Sequence, residues 1–187
     1  VPGVDADVVL GDSTGGARQL VEHLLSLGHR RIAMVTESGS VSTARDRRKG
    51  YEAALTAAGI APAPELVVET SVDPEGGHDG MRRLLELAEP PTAVFTVNNL
   101  VALGAIEAVR ATGREVPDDV ALVCFDDIEY ASRLNPFLTV MEQPAETFGS
   151  LGTQLLLERI DDRTAERQRT VVLPAQFVVR RSCGAAT

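Results

Sequence analysis

Thr92-Ala93-Val94-Phe95-Thr96-Val97 runs without interruption into Asn98-Asn99 and then into Leu100-Val101-Ala102-Leu103-Gly104-Ala105-Ile106-Glu107-Ala108-Val109. A short run of this kind is what a parallel strand covered on both faces looks like. Asn98 or Asn99 offers a side-chain oxygen to cap a helix. Leu103, Ile106 and Val109 then recur at helical spacing before Gly113 ends the pattern. Strand, cap, helix and stop make one βα unit.

The same unit repeats on either side. Toward the N-terminus, Val8-Val9-Leu10 is extended. The segment Ser13 to Leu27 puts Ala17, Leu20, Val21, Leu24 and Leu25 on one helical face, and Gly28 ends it. Arg31-Ile32-Ala33-Met34-Val35 reads as a buried strand. A polar loop from Thr36 to Thr43 leads into a helix carrying Tyr51, Ala54, Leu55 and Ala58, closed by Gly59. Leu66–Glu69 is a strand, and Met81, Leu84, Leu85 and Ala88 mark the next helix. Toward the C-terminus, Val116-Pro117-Asp118-Asp119 is a turn and Val120–Phe125 a buried strand. Leu138–Met141 is extended, and Phe148, Leu151, Leu155, Leu156 and Ile160 predict a long helix. Thr170–Leu173 and Gln176–Val179 are short strands separated by Pro174. Alternation of this kind predicts an α/β fold, a doubly wound parallel sheet.

Composition narrows the classes of function. The chain has 187 residues, with 18 Lys+Arg against 27 Asp+Glu and a net charge of −9. Contacts to nucleic-acid phosphates need a basic face, so this chain is not expected to grip DNA itself. No apolar run reaches the length of a membrane span. The chain opens Val1-Pro2-Gly3-Val4-Asp5, without Met or the signature of a signal peptide, and Val8–Leu10 reads as a strand entered mid-fold, as in a piece of a longer protein. Lys49 is the only lysine, so Schiff-base or P-loop chemistry would have to use it. Cys124 and Cys183 lie far apart with no CxxC. They read as a small buried strand residue and a free thiol near the C-terminus, which fits a reducing compartment and leaves a disulfide open.

In doubly wound sheets ligands bind outside the carboxyl ends of the strands. The loops there are Thr36–Asp46, Thr70–Pro74, Val97–Leu100 and Phe125–Ile128. They, with the start of the helix after the first of them, bring Arg45, Arg47, Asp73, Asn98, Asn99, Asp126 and Asp127 to one edge. Arg47 shares a helix face with Tyr51 at i, i+4. A guanidinium turned toward the sheet is costly without an anionic or multi-hydroxyl partner, although the Arg45 to Lys49 run could also be a solvated face. Asn98 can donate and accept at once, which suits vicinal hydroxyls, or it can simply cap. The Asp126-Asp127 pair has three readings. It could hold a metal or phosphoacceptor, cap a helix, or accept hydrogen bonds from ligand hydroxyls, the last with Asp126 as the better candidate. Gly15-Gly16 is a weak phosphate cradle. HExxH, GxSxG, GxGxxG and GxxxxGK[ST] are all absent, and His23, His29 and His78 have no nucleophile beside them. No catalytic group, metal site or cofactor is expected, and an enzyme is the least favoured class.

Several segments resemble the LacI/GalR family of bacterial repressors: Val21-Glu22-His23-Leu24 with Leu27-Gly28-His29-Arg30-Arg31-Ile32-Ala33, Arg47-Arg48-Lys49-Gly50-Tyr51, Pro91–Phe95, Ala102-Leu103-Gly104-Ala105, Val116–Val120, Phe125-Asp126-Asp127-Ile128, Pro136-Phe137-Leu138-Thr139 with Gln143-Pro144, and Val178–Ser182. Singly they are weak, but together they keep order across nearly the whole chain. The resemblance implies a periplasmic-binding-protein-like effector domain. Residues 12–138 plus 175–182 would be its C-terminal lobe, and 1–11 plus 144–173 remnants of the N-terminal lobe, with the DNA-binding headpiece absent. It carries effector contact to Arg47, Asp126, Asn98, Thr43 and Gln143, and dimerisation to Leu103, Ile106 and Leu134.

Two positions depart from the family pattern. Asn98-Asn99 replaces the usual Asn-Asp. Val72 stands where several members place an aromatic that stacks on a sugar or purine, which leaves the stacking platform elsewhere or missing. The implied function is sensing of a small sugar-like effector by a cytoplasmic homodimer that contacts operator DNA through the headpiece and no membrane. The alternative is a solute-binding protein of a sugar transporter. A helix-turn-helix or a signal peptide upstream discriminates the two.

Overall fold

The computed structural model describes residues 6–161 and 168–185. Residues 1–5 and 162–167, which fall in the stretches expected to be N-lobe remnants, lie outside the described residues. In chain order the elements are β1 (Val8–Gly11), α1 (Ser13–Ser26), β2 (Ile32–Thr36), α2 (Ser42–Ala57), β3 (Val67–Glu69), α3 (Pro74–Leu85), β4 (Ala93–Thr96), α4 (Asn99–Ala111), β5 (Ala121–Phe125), α5 (Glu129–Leu134), β6 (Thr139–Glu142), α6 (Ala145–Asp161), β7 (Thr170–Leu173) and β8 (Gln176–Val178). The three runs read as doubly covered strands, β2, β4 and β5, are buried at every residue.

Among the described residues six strands form one sheet in the order β3-β2-β4-β5-β6-β8, and β1 pairs in parallel with β7 as a second, two-stranded sheet. All neighbours in the larger sheet are parallel except β8, which runs against β6. Helices α1 and α2 pack together, as do α3 and α4. From β2 the chain steps outward to β3, then returns to the other side of β2 as β4. In a doubly wound sheet that reversal marks where a ligand crevice is expected, at the carboxyl ends of β2 and β4.

Helix ends follow the local chemistry. Asp12 accepts from Gly15 N at 2.8 Å, Asp73 from Gly76 N at 2.7 Å, and Asn98 from Val101 N at 2.9 Å. Gly28, Gly59 and Gly113 follow α1, α2 and α4 at positive φ, where glycine carries no penalty.

Several expectations are corrected. Gly15-Gly16 is no phosphate cradle, because the Asp12 carboxylate already occupies the first turn of α1. A Cβ on Gly16 would sit 2.9 Å from Phe125 and Met141, so this glycine serves close packing. Ala58 and Ala88 lie just past their helices and are exposed. The buried face of α4 is Val101, Ala102, Gly104, Ala105, Ala108 and Val109, whereas Leu103 is exposed and Ile106 only partly buried. The reason is the close approach of α3, which selects small side chains at the contact. A Cβ on Gly104 would collide with the Pro74 carbonyl oxygen. In α6 only Leu155 is buried, while Leu156, Leu157 and Ile160 are exposed. The helix rests against β1, and a two-stranded sheet is too narrow to cover its apolar face. Cys183 is buried rather than a loose terminal thiol, with its Sγ 3.3 Å from His23 Nε2, and both cysteines are free.

Candidate functional site

Arg47 lies in the first half of α2, which begins beyond the carboxyl end of β2, and Tyr51 one turn later is buried on the same face. Tyr51 donates to Ile32 O at 2.8 Å, which fixes that face against the sheet. Arg47 is thereby driven inward and is only 6 % exposed. Its guanidinium carbon sits 3.8 Å from the Phe125 ring centroid, a cation–π stack. Nη1 donates to Val97 O at 2.5 Å and lies 3.5 Å from Asp126 Oδ2. Nε is buried without a hydrogen-bond partner. Burial pulls the Arg47 guanidinium below its ordinary pKa, and Asp126 pushes back. A guanidinium's pKa is high enough that it stays charged regardless.

Asp126 follows β5 in a backbone conformation that side chains rarely adopt, with φ at 72°. It is the one non-glycine residue at positive φ among the described residues. Gln143, just past β6, donates its amide to Asp126 Oδ1. The Gln143 carboxamide oxygen also lies close over Gly11 at the end of β1. Three of the expected residues, Arg47, Asp126 and Gln143, are therefore in direct contact. Asn98 borders them, half-buried and next to the Val97 carbonyl that Arg47 holds, while its side-chain oxygen caps α4. Thr43 is exposed one turn before Arg47 in α2. Val72, in the loop after β3, is partly buried and packs against the core.

Other edge residues are committed elsewhere. Asp73 caps α3 and also accepts from Ser71 Oγ at 3.0 Å. Asp127, read as a capping or site carboxylate, is paired with Arg180 at 2.6 Å. Phe125 and Arg180 were not singled out from sequence. Phe125 ends a uniformly apolar strand and gives no sign of its role, whereas the two positive charges of Arg180-Arg181 after a short strand were a visible hint.

Chemically, the crevice offers a desolvated cation with one unpartnered donor and an acceptor carboxylate 3.5 Å away, with two amides alongside. The negative charge of Glu37, after β2, also favours the charged form of Arg47. The arrangement suits donor–acceptor pairs such as neighbouring hydroxyls better than a strongly anionic group. Among the described residues no three His, Cys, Asp or Glu side chains gather as a metal site, and no helix is long and apolar enough to cross a membrane. A second groove, lined by Ile106, Arg110, Arg114, Val116 and Phe137, lies at the far end of α4 and contains none of the expected ligand-binding residues.

A doubly wound sheet with a crevice built this way defines a ligand-binding domain, and residues 21–183 match the periplasmic binding protein-like domain family. The chain belongs to that family, and within it to the effector domains of LacI/GalR-type regulators. It is 37 % identical over 179 residues to the ribose operon repressor of Haemophilus influenzae, covering 96 % of this chain and 54 % of that protein. It is likewise 37 % identical over 182 residues to the HTH-type transcriptional regulator CelR of Thermobifida fusca, covering 97 % and 53 %. Among solved structures, a CelR–cellobiose complex superposes with a TM-score of 0.89 at 36 % identity, over 97 % of this chain and 55 % of that one. A LacI family regulator from Enterococcus faecium with bound ribose gives 0.85 at 30 %, over 94 % and 65 %. The chain spans about half the length of the curated relatives it matches.

Proposed function

We propose that this chain is the effector-sensing and dimerisation part of a LacI-type transcriptional regulator, and that its effector is an uncharged sugar or a related polyhydroxyl metabolite. One observation carries the reading. Arg47 is held almost wholly out of water with its Nε unpartnered, beside a carboxylate set at a left-handed turn. A desolvated guanidinium with a free donor is costly unless a polar ligand completes it. The similarity to regulators solved with cellobiose and with ribose supports a sugar.

In this reading Arg47, Asp126, Asn98, Gln143 and Thr43 contact the effector, and Val72 borders it without stacking. Residues 12–138 plus 175–182 act as one lobe, with 1–11 plus 144–173 belonging to the other. Effector binding shifts the population between open and closed arrangements of the two. Leu103, Ile106 and Leu134 join two copies. Operator DNA is contacted by a helix-turn-helix outside these residues, in the cytoplasm, and the protein senses rather than turns over its ligand. A sugar-transport solute-binding protein is the second reading. The similarity to regulators over nearly the whole chain favours the first.

The test is a thermal-shift panel of neutral mono- and disaccharides and their phosphates, run on this chain and on the full-length gene product. A neutral sugar should raise the melting temperature, and Arg47→Ala or Asp126→Asn should abolish the rise. A phosphorylated sugar that binds equally well with Arg47 removed sinks the proposal.

A further inference from the structure

The Asp127 carboxylate is taken up completely. Its Oδ2 accepts from Arg180 Nη2 at 2.6 Å, and its Oδ1 accepts from Arg180 Nη1 at 2.9 Å, Ser132 Oγ at 2.6 Å and Ile128 N at 2.7 Å. Its backbone carbonyl accepts from Asn99 Nδ2 at 2.9 Å. Arg180 is fixed in turn. Nη1 also donates to Leu138 O at 2.8 Å, and its backbone N–H donates to Thr139 Oγ1 at 2.9 Å. Both side chains are largely buried. One residue thus ties the loop after β5 to the start of α4, to α5 and to the segment after β8.

Asp126 is the residue immediately before this knot. Its φ of 72° persists only where the surroundings over-determine it. On its own side the restraint is its backbone N–H, which donates to Met141 O at 2.9 Å. On the other side the restraint is Asp127. We infer that Asp127 and Arg180 are positioning residues: their two-pronged ion pair holds the loop at the left-handed turn that keeps the Asp126 carboxylate beside Arg47 and Gln143. The cleft then depends on two side chains that are no part of it. The consequence for sugar binding rests on the function proposed above, whereas the placement of Asp126 does not.

An Asp127→Asn change keeps size but offers an amide nitrogen to the guanidinium, which cannot accept from it. Arg180→Lys keeps the charge and loses the fork. Ser132→Ala removes a single contact to Oδ1. The reporters are the Arg47 Nε–H and Gln143 side-chain amide signals in ¹⁵N correlation spectra, assigned by their loss in Arg47→Lys and Gln143→Ala. In the D127N and R180K variants the amide signals of β2, β4 and β5 should stay in place. Both reporters should move, and solvent exchange of the Arg47 Nε–H should accelerate at least tenfold. S132A should shift the same signals less and in the same direction, and it decides the matter if the other two fail to fold. Reporters unmoved in every variant that keeps the sheet overturn the inference. With ribose and cellobiose as probes, affinity should fall at least tenfold in D127N. If neither sugar binds the unaltered protein, the affinity arm is run with the neutral sugar that the thermal-shift panel selects; if none is selected the sugar reading fails, while the spectra still decide the positioning.

Discussion

A guanidinium almost out of water must be held by something, and at Arg47 the holders are a carbonyl, an aromatic face and a carboxylate. Removing one member of a buried ion pair strands the other charge, whereas replacing both members together is often close to neutral. Arg47→Met, which leaves the Asp126 carboxylate without its cation, should therefore destabilise the protein in urea by up to about 3 kcal/mol, and Arg47→Met with Asp126→Asn should recover much of that loss, while both eliminate ligand response. His23 makes a second residue-scale prediction. It lies beside Cys183 Sγ and edge-on to Phe177, and burial lowers its pKa from 6.5. His29 is shifted the same way. Below pH 6.5 the unfolded chain binds these protons more readily than the folded one, so stability should fall as pH drops through that window. The urea midpoint against pH should show that slope, and His23→Gln should flatten it.

Elements were legible in the sequence where burial is two-sided. β2, β4 and β5 carry apolar side chains on both faces, and a parallel strand covered on each side by helices accommodates that. Faces of helices were less legible, because contact distance and hydrophobicity pull apart. On α4 the large residues Leu103 and Ile106 suggest the core, yet the buried face is mostly small, with Ala102, Gly104, Ala105 and Ala108 between Val101 and Val109, since α3 comes close at Gly104. Gly104→Ala should cost about 1–3 kcal/mol through overpacking. A guanidinium-chloride titration checks this, and a change under 0.5 kcal/mol, about the scatter of a neutral surface substitution, would mean the two helices have slack. The site divides similarly. Arg47 and Asp126 were readable because strand ends and helical spacing place them, whereas Gln143 was implied only by the resemblance to the LacI/GalR family. The roles of Phe125 and of the Asp127–Arg180 pair were not, since they arise from contacts between segments more than fifty residues apart in the case of the ion pair.

At the scale of the whole molecule, the chain passes between the two sheets after β1, after β6 and between β7 and β8. Gln143 sits on one passage, lies over Gly11 where β1 ends and another begins, and holds Asp126. A ligand that competes for Asp126 therefore acts where the sheets are joined. Leu134 and Tyr130 on α5 are 90 % and 81 % exposed, and Leu103 on α4 is exposed as well. If these residues join two copies, sedimentation of the full-length product should show a dimer that Leu134→Asp converts to monomer at micromolar concentration, with its thermal unfolding unchanged. A dimer indifferent to the substitution would place the interface elsewhere.

In the proposed reading the edge at the ends of β2, β4 and β5 recognises a polyhydroxyl ligand through Arg47 and Asp126. The most direct measurement is a crystal structure of the protein with the neutral sugar that stabilises it most. Adjacent ring hydroxyls should be hydrogen-bonded to the Asp126 carboxylate and to the Arg47 guanidinium. A sugar ordered instead in the groove between Ile106, Arg110, Arg114 and Phe137, with Arg47 and Asp126 untouched, would contradict it.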